Sequence, residues 1–169
     1  MVMNLPCWEV AGFIFTLVCG SLLHFVYKWS NKNRIVGLFS PVSESVWEHL
    51  KMLFFPMLLF SAVEYFAGGY RYSNFITSKS FGLALGLLTI VVVFYTYTGI
   101  VGKNYLIADI LTFIAGVAAA YGYSWYSINN NPGNPIAGII LTIALLAAFL
   151  LFTYDHPKLK LFIDPITRR

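Results

Sequence analysis

The sequence has few charged residues and few cysteines, and each shortage excludes a class of protein. Only 11% of its 169 residues are charged, whereas a soluble domain carries about 25%. With 59% hydrophobic residues, the chain lacks the polar surface that water requires, so lipid is the expected solvent. Its two cysteines, Cys7 and Cys19, form no CxxC pair, which argues against thiol–disulfide chemistry. It also has no basic array, so we expect no nucleic-acid partner.

Two further patterns are missing from the chain. The first apolar segment contains Glu9 and has no basic residue ahead of it, and no A-x-A cleavage site follows. We therefore expect a retained membrane span and not a removable signal peptide. The apolar runs are continuous and do not alternate with polar residues, which argues against a transmembrane β-barrel.

Five apolar segments have the roughly 17–25 residues that a helix needs to cross the hydrocarbon layer. They predict an all-α fold, a bundle of five transmembrane helices in a single domain over 1–169. The predicted spans are about 8–28, 43–67, 81–98, 105–124 and 136–154. Ser43 and Glu44 are expected to begin the second span by capping it and complementing its dipole. Pro56 in the middle of that span predicts a kink.

The basic residues predict the orientation, because cytoplasmic loops carry an excess of Lys and Arg. With five spans, the N-terminus and the second and fourth loops share one side, which has only Arg71 and Lys79. The other side has nine of the eleven basic residues: Lys28, Lys32, Arg34, Lys51, Lys103, Lys158, Lys160, Arg168 and Arg169. We therefore expect a multi-pass protein of the cell membrane, with its N-terminus outside and its C-terminus in the cytoplasm.

Ionisable side chains inside membrane spans are costly and usually functional, and in this chain most of them fall at one depth. In the predicted orientation they lie near the cytoplasmic ends of spans 1, 2 and 4. They predict a polar pocket made of His24, Glu44, Glu48, His49 and Asp109. Three more residues at this level are expected to support the pocket: Ser45, Tyr95 and Thr98.

The helical faces indicate which side chains point inward. A ridge of small residues, along which another helix can approach, runs down span 1 to a histidine: Gly12, Thr16, Gly20 and His24. In span 2, Glu44 and Glu48 are predicted to be stacked one turn apart. Lys51 is expected on another side, where its ammonium reaches the headgroups. Glu64 is expected at the outer interface, close to Arg71.

Three functions remain open for this pocket. As a cation or proton site in a small transporter, it would use Glu44 and Glu48 as acceptors, His24 as proton carrier and Asp109 as partner. As an enzyme, it would hold a divalent metal ion on His24, or on His49, together with Glu44 and Glu48, and hydrolyse or transfer a lipid-like group. A metal-free enzyme would use a carboxylate–histidine pair instead. As a structural element, Glu48 would simply pair with Lys51. We favour cation binding or proton-coupled transport.

Several runs resemble a family of small bacterial multi-span membrane proteins known only as a domain of unknown function. They are 20–30 (GSLLHFVYKWS), 39–51 (FSPVSESVWEHLK), 95–99 (YTYTG), Asp109-Ile110 and Asp164-Pro165. The chain departs from the resemblance at Ser43, where relatives often have Asn, and after Asp164-Pro165. The resemblance implies a multi-span membrane protein and no known activity. The lipid bilayer is the expected partner, and the spacing of Gly82 and Gly86 is compatible with a homodimer.

Overall fold

The computed structural model describes residues 4–163, and this part of the chain is helical without a β-strand. Its helices are α1 (Leu5–Trp29), α2 (Arg34–Gly37), α3 (Val46–Ala67), α4 (Phe75–Val101), α5 (Leu106–Asn130) and α6 (Pro135–Phe152), with short 3-10 turns at Gly69–Arg71 and Lys160–Phe162. All except α2 are long and apolar enough to cross a membrane. The predicted all-α class with five such helices is confirmed. The Asp164-Pro165 run and the altered ending after it lie outside the described residues.

Helix α3 begins later than predicted, and this changes the geometry of its acidic residues. Ser45, not Ser43, is its N-cap, and the Ser45 hydroxyl accepts a hydrogen bond from the Glu48 backbone N–H at 3.3 Å. Glu44 therefore precedes the helix and is not stacked one turn below Glu48. The helix then continues through Pro56 and ends at Gly68, whose φ of 144° favours glycine.

Small residues set how closely the helices pack. Helix α1 packs on α3 and α5, while α4 packs on α3, α5 and α6. A Cβ added at Gly20 would collide with the backbone carbonyl of Met52 in α3. A Cβ at Gly86 would lie 2.7 Å from the carbonyl oxygen of Gly116 in α5. Gly82 makes the same kind of contact with the Ala120 carbonyl, so both α4 glycines join helices within one chain, and a homodimer stays a prediction.

The bundle has two polar ends separated by an apolar core. We call the end where α1, α4 and α6 finish and α3 and α5 begin the histidine end, and the other the opposite end. Residues His24 and Glu9, both on α1, are separated by about 22 Å at 1.5 Å per residue. Buried apolar side chains fill the space between the ends, among them Leu53, Phe54, Met57, Leu83 and Val117.

Candidate functional site

Two histidines and one carboxylate meet at the histidine end. His24 comes from the last two turns of α1, Glu44 from the bend ahead of α3, and His49 from the first turn of α3. One ligand atom from each can be chosen so that all three lie within 4.8 Å of one another. The three residues are partly buried, so the group lies at the edge of the bundle, where water can reach it. We call it the histidine cluster.

Hydrogen bonding orients the His49 ring. Its Nδ1 lies 2.9 Å from the backbone carbonyl oxygen of Ser45. A carbonyl only accepts, so Nδ1 carries the proton that is donated. This leaves Nε2, which lies 3.4 Å from a carboxylate oxygen of Glu44, to carry a second proton or to bind a metal ion. A histidine that is oriented by a backbone carbonyl in this way is typical of metal ligands.

His24 completes the cluster with an unused ring nitrogen. Its ring centroid is 5.2 Å from that of His49, with an interplanar angle of 35°. The Nδ1 atom of His24 is buried and has no hydrogen-bond partner. A buried polar atom without a partner costs about 1–3 kcal/mol, so this nitrogen needs a hydrogen-bond partner or a metal ion to compensate for its burial.

The carboxylate of Glu44 is ionised and faces positive charge. The hydrogen bond with His49 is the largest cause that lowers the pKa of Glu44, against the opposing effect of burial. Lys28 Nζ lies 3.9 Å from the other Glu44 oxygen, but the Lys28 side chain is 65% exposed. An exposed ammonium at this distance contributes little stability, so Lys28 can leave without disturbing the rest of the cluster.

Asp109 is near the cluster but is already bound by other groups. The Tyr97 hydroxyl donates to Asp109 Oδ1, and the Asn104 side-chain amide donates to Oδ2 at 3.3 Å. Asp109 is close enough to act electrostatically on His49. Asp109 is therefore a charged neighbour of the histidines. Each of its carboxylate oxygens already accepts a hydrogen bond from another side chain.

Glu48 belongs to a separate buried ion pair. Its Oε2 accepts from the Lys51 ammonium at 2.7 Å and from the Val42 backbone N–H at 2.9 Å. Lys51 also donates to the Gly37 carbonyl and to the Thr153 hydroxyl. Lys51 is fully buried, so the expectation that it reaches the headgroups is wrong. The ammonium instead joins α3 to the segment ahead of it and to the end of α6.

Of the three predicted supporting residues, Ser45 contacts the histidine cluster, and Tyr95 and Thr98 have other neighbours. Ser45 holds the cluster through its carbonyl, as described for His49. The Thr98 hydroxyl donates to the Phe94 carbonyl within α4, and Tyr95 is 37% exposed on the surface of that helix. In the described structure, His24, Glu44, His49 and Ser45 therefore come together, whereas Glu48, Tyr95 and Thr98 have other neighbours.

A second charged cluster lies at the opposite end, and the sequence reading missed it. Lys79 Nζ is 2.9 Å from Glu9 Oε1 and 2.6 Å from Glu64 Oε2. The three residues, which we call the charged triad, are no more than 5% exposed. The Ser124 hydroxyl donates to Glu9 at 3.0 Å. The expectation that Glu64 lies at the interface is wrong, because Lys79 supplies a buried partner for it.

The signal for this triad was present in the topology. Glu9 lies near the start of α1, Glu64 near the end of α3 and Lys79 near the start of α4. Five antiparallel helices bring these three positions to the same end of the bundle, and their charges are complementary. Counting Lys79 among the basic residues of a loop concealed this.

The chain matches a family of unknown function, DUF6512, over residues 1–169. No curated protein and no solved structure matches it.

Proposed function

Because the chain belongs to the DUF6512 family, whose function is unknown, its own geometry has to suggest an activity, and we propose that it binds a divalent transition-metal ion at the histidine cluster. The observation that supports this most directly is the convergence of ligand atoms from His24, Glu44 and His49 within 4.8 Å. Both histidines belong to this ligand set, and Glu48 is left out of it because it is held by Lys51.

The spacing of the ligand atoms suits a metal ion of ordinary size. Ligands bound tetrahedrally at about 2.1 Å lie about 3.4 Å apart, and His49 Nε2 lies 3.4 Å from Glu44 Oε2. One ring nitrogen of His24 would have to reach the same separation from these two atoms, an adjustment that its partly exposed side chain permits. If that nitrogen is Nδ1, which has no hydrogen-bond partner, the ion would supply its partner.

The ligand types select the class of metal. Two imidazoles and one carboxylate suit zinc, iron or manganese, whereas magnesium and calcium prefer oxygen ligands alone. Three protein ligands leave at least one coordination position for water or a substrate. Metal-assisted hydrolysis or transfer on a lipid-like substrate is therefore the second candidate function, since a bound water in that position can act as a nucleophile.

Transport is less well supported than binding. In the described part of the chain, the core between the two ends is packed mainly with apolar side chains, Leu53, Phe54 and Met57 being fully buried, and these cannot replace the hydration of an ion. The Thr16 hydroxyl bonded to the Tyr121 hydroxyl lies in this region, but two mutually bonded hydroxyls do not form a path. We propose that the ion stays at the histidine end, which the excess of basic residues would place at the cytoplasmic face.

Metal analysis of the purified chain tests the proposal. After exposure to zinc and removal of the excess, we expect about one zinc per chain, measured by mass spectrometry of the elements. His49→Ala and His24→Ala should each weaken zinc binding at least about tenfold, the usual cost of losing a ligand or its orientation. His156→Ala is the matched control, because His156 stacks on Phe162 outside the cluster.

The alternatives give different results. If the cluster is only a structural ion pair, zinc binding will be weak in the wild type and equal in all three histidine variants. Zinc bound equally by wild type and His49→Ala, with loss in His156→Ala, would place the metal elsewhere and contradict the proposal.

A further inference from the structure

A groove on the surface between α1 and α5 leads to the charged triad. It has a volume of about 310 Å³, and Glu9 lies among its lining residues. Its other lining side chains are almost entirely apolar, and three are aromatic: Phe13, Tyr121 and Trp125. Val10 and Trp125, which form its walls, are 59% and 49% exposed. In a bilayer these walls would face lipid, so a molecule would enter the groove from the membrane.

Glu9, which borders this groove, has one carboxylate oxygen without a hydrogen-bond partner. Glu9 Oε1 is engaged by Lys79 and Ser124, whereas Glu9 Oε2 is buried and accepts no hydrogen bond. Glu9 as a whole is only 5% exposed. A buried carboxylate oxygen without a partner is costly, and Glu9 is the one charged residue among those that line the groove, so its negative charge is the formal charge nearest to an occupant of that space.

The charges of the triad point to the sign of the occupant. The single ammonium of Lys79 is shared by two carboxylates, Glu9 and Glu64. When both are ionised, the triad has one negative charge in excess. A cation in the groove would supply the missing positive charge near Glu9, and the aromatic rings around it would add cation–π attraction.

We propose that the groove between α1 and α5 is a binding site for a lipophilic organic monocation. Its positive charge would lie near Glu9, and its apolar groups would lie along Phe13, Tyr121 and Trp125. This site is separate from the histidine cluster, because the two occupy opposite ends of the bundle, and neither proposal depends on the other.

Binding of tetraphenylphosphonium to the full chain in a neutral detergent tests this proposal. We expect saturable binding of one cation per chain by equilibrium dialysis, with quenching of Trp125 fluorescence. Tetraphenylborate is the matched probe, because it has the same shape and the opposite charge, and it should not saturate the site. Equal uptake of both ions in proportion to the detergent would show partition alone and would overturn the proposal.

Variants distinguish the contribution of the Glu9 charge to binding from that of the groove's shape. Glu9→Gln should weaken binding at least about tenfold by removing the buried charge. Glu64→Gln should also weaken it, although Glu64 does not line the groove, because Lys79 would then neutralise Glu9 completely. Gly122→Leu should block binding without disturbing the fold, since a Cβ at Gly122 meets no atom within 4 Å. His156→Ala should bind the cation as the wild type does, because His156 stacks on Phe162 away from the groove.

If Glu9→Gln and Glu64→Gln fail to fold, Gly122→Leu still tests the proposal. Wild-type affinity in a folded Gly122→Leu protein would overturn the proposal, as would wild-type affinity in Glu9→Gln.

Discussion

At the scale of single residues, a change of helix start by a few positions decides which acid meets which base. Because Ser45 caps α3, Glu44 stays in the bend ahead of the helix and reaches His49. Glu48 lies inside the helix and turns to Lys51. Glu44 and Glu48, four positions apart, therefore belong to different clusters. The prediction that they are stacked one turn apart assumed a helix that begins at Ser43, and it is wrong.

Metal binding should weaken as the pH falls. Protons compete with the ion for both imidazoles of the histidine cluster, and metal binding releases them. The carboxylate of Glu44 should remain ionised to a lower pH than the imidazoles, because the hydrogen bond with His49 lowers its pKa from the ordinary value of a glutamate. Zinc titrations at several pH values, with proton release followed in parallel, measure this. Binding that is unchanged between neutral and mildly acidic pH would contradict histidine ligation.

Lys51→Met should destabilise the protein strongly. It leaves the Glu48 carboxylate buried without its ammonium, a loss that typically costs about 3–5 kcal/mol in the free energy of unfolding. Unfolding in detergent by denaturant measures the effect. Lys103→Met is the matched control, because Lys103 is exposed and contacts only the Tyr105 ring in the described structure. A similar small loss in both variants would show that the Glu48–Lys51 pair contributes little.

At the scale of helices, close packing depends on glycines that face carbonyl groups. Gly86 in α4 and Gly116 in α5 approach so closely that each packs against the carbonyl oxygen of the other. The spacing of Gly82 and Gly86 predicts a close helix contact, but it cannot show whether the second helix belongs to the same chain. In the structure the second helix is α5 of the same chain, and a short loop joins it to α4.

Gly86→Val should separate α4 from α5, whereas Gly99→Val in the same helix should have little effect. A Cβ at Gly86 would lie 2.7 Å from the Gly116 carbonyl oxygen, and a Cβ at Gly99 meets no atom within 4 Å. Overpacking of this kind lowers the free energy of unfolding by about 1–3 kcal/mol. Thermal unfolding of the two variants in the same detergent makes the comparison, and equal melting temperatures would argue against the α4–α5 contact.

At the scale of the whole molecule, the two ends differ in both charge and chemistry. Most basic residues are at the histidine end, and Lys79, one of the two at the opposite end, is buried in the charged triad. Burial removes Lys79 from the charges that meet the lipid headgroups, which strengthens the asymmetry used to predict orientation. Lys51, at the histidine end, is buried in the same way. The difference in charge between the two ends therefore depends on the basic residues of the loops.

Cysteine labelling should place the histidine end in the cytoplasm. After replacing Cys7 and Cys19, which would otherwise react, Asn130→Cys should be labelled in intact cells by a maleimide that does not cross membranes. Lys103→Cys, at the histidine end, should be labelled only after the membrane is opened. The reverse pattern would put the histidine cluster outside the cell and contradict the predicted orientation.

The sequence by itself determined that five segments are long and apolar enough to cross a membrane, and it placed His24 and His49 at the same end of the bundle. Both follow from local quantities, namely the transfer free energy of each side chain into lipid and the rise of 1.5 Å per residue along a helix. For this reason the sequence alone predicts that His24 and His49 lie at the same depth.

Only the tertiary structure decided which of these residues touch. The rotation of each helix about its axis, and the exact start of α3, depend on how side chains from several helices fill the space between them. Packing therefore separated Glu48 from the histidines and buried Lys51. It also united Glu9, Glu64 and Lys79, three residues from three helices, because a buried charge is stable only where its partner is held beside it.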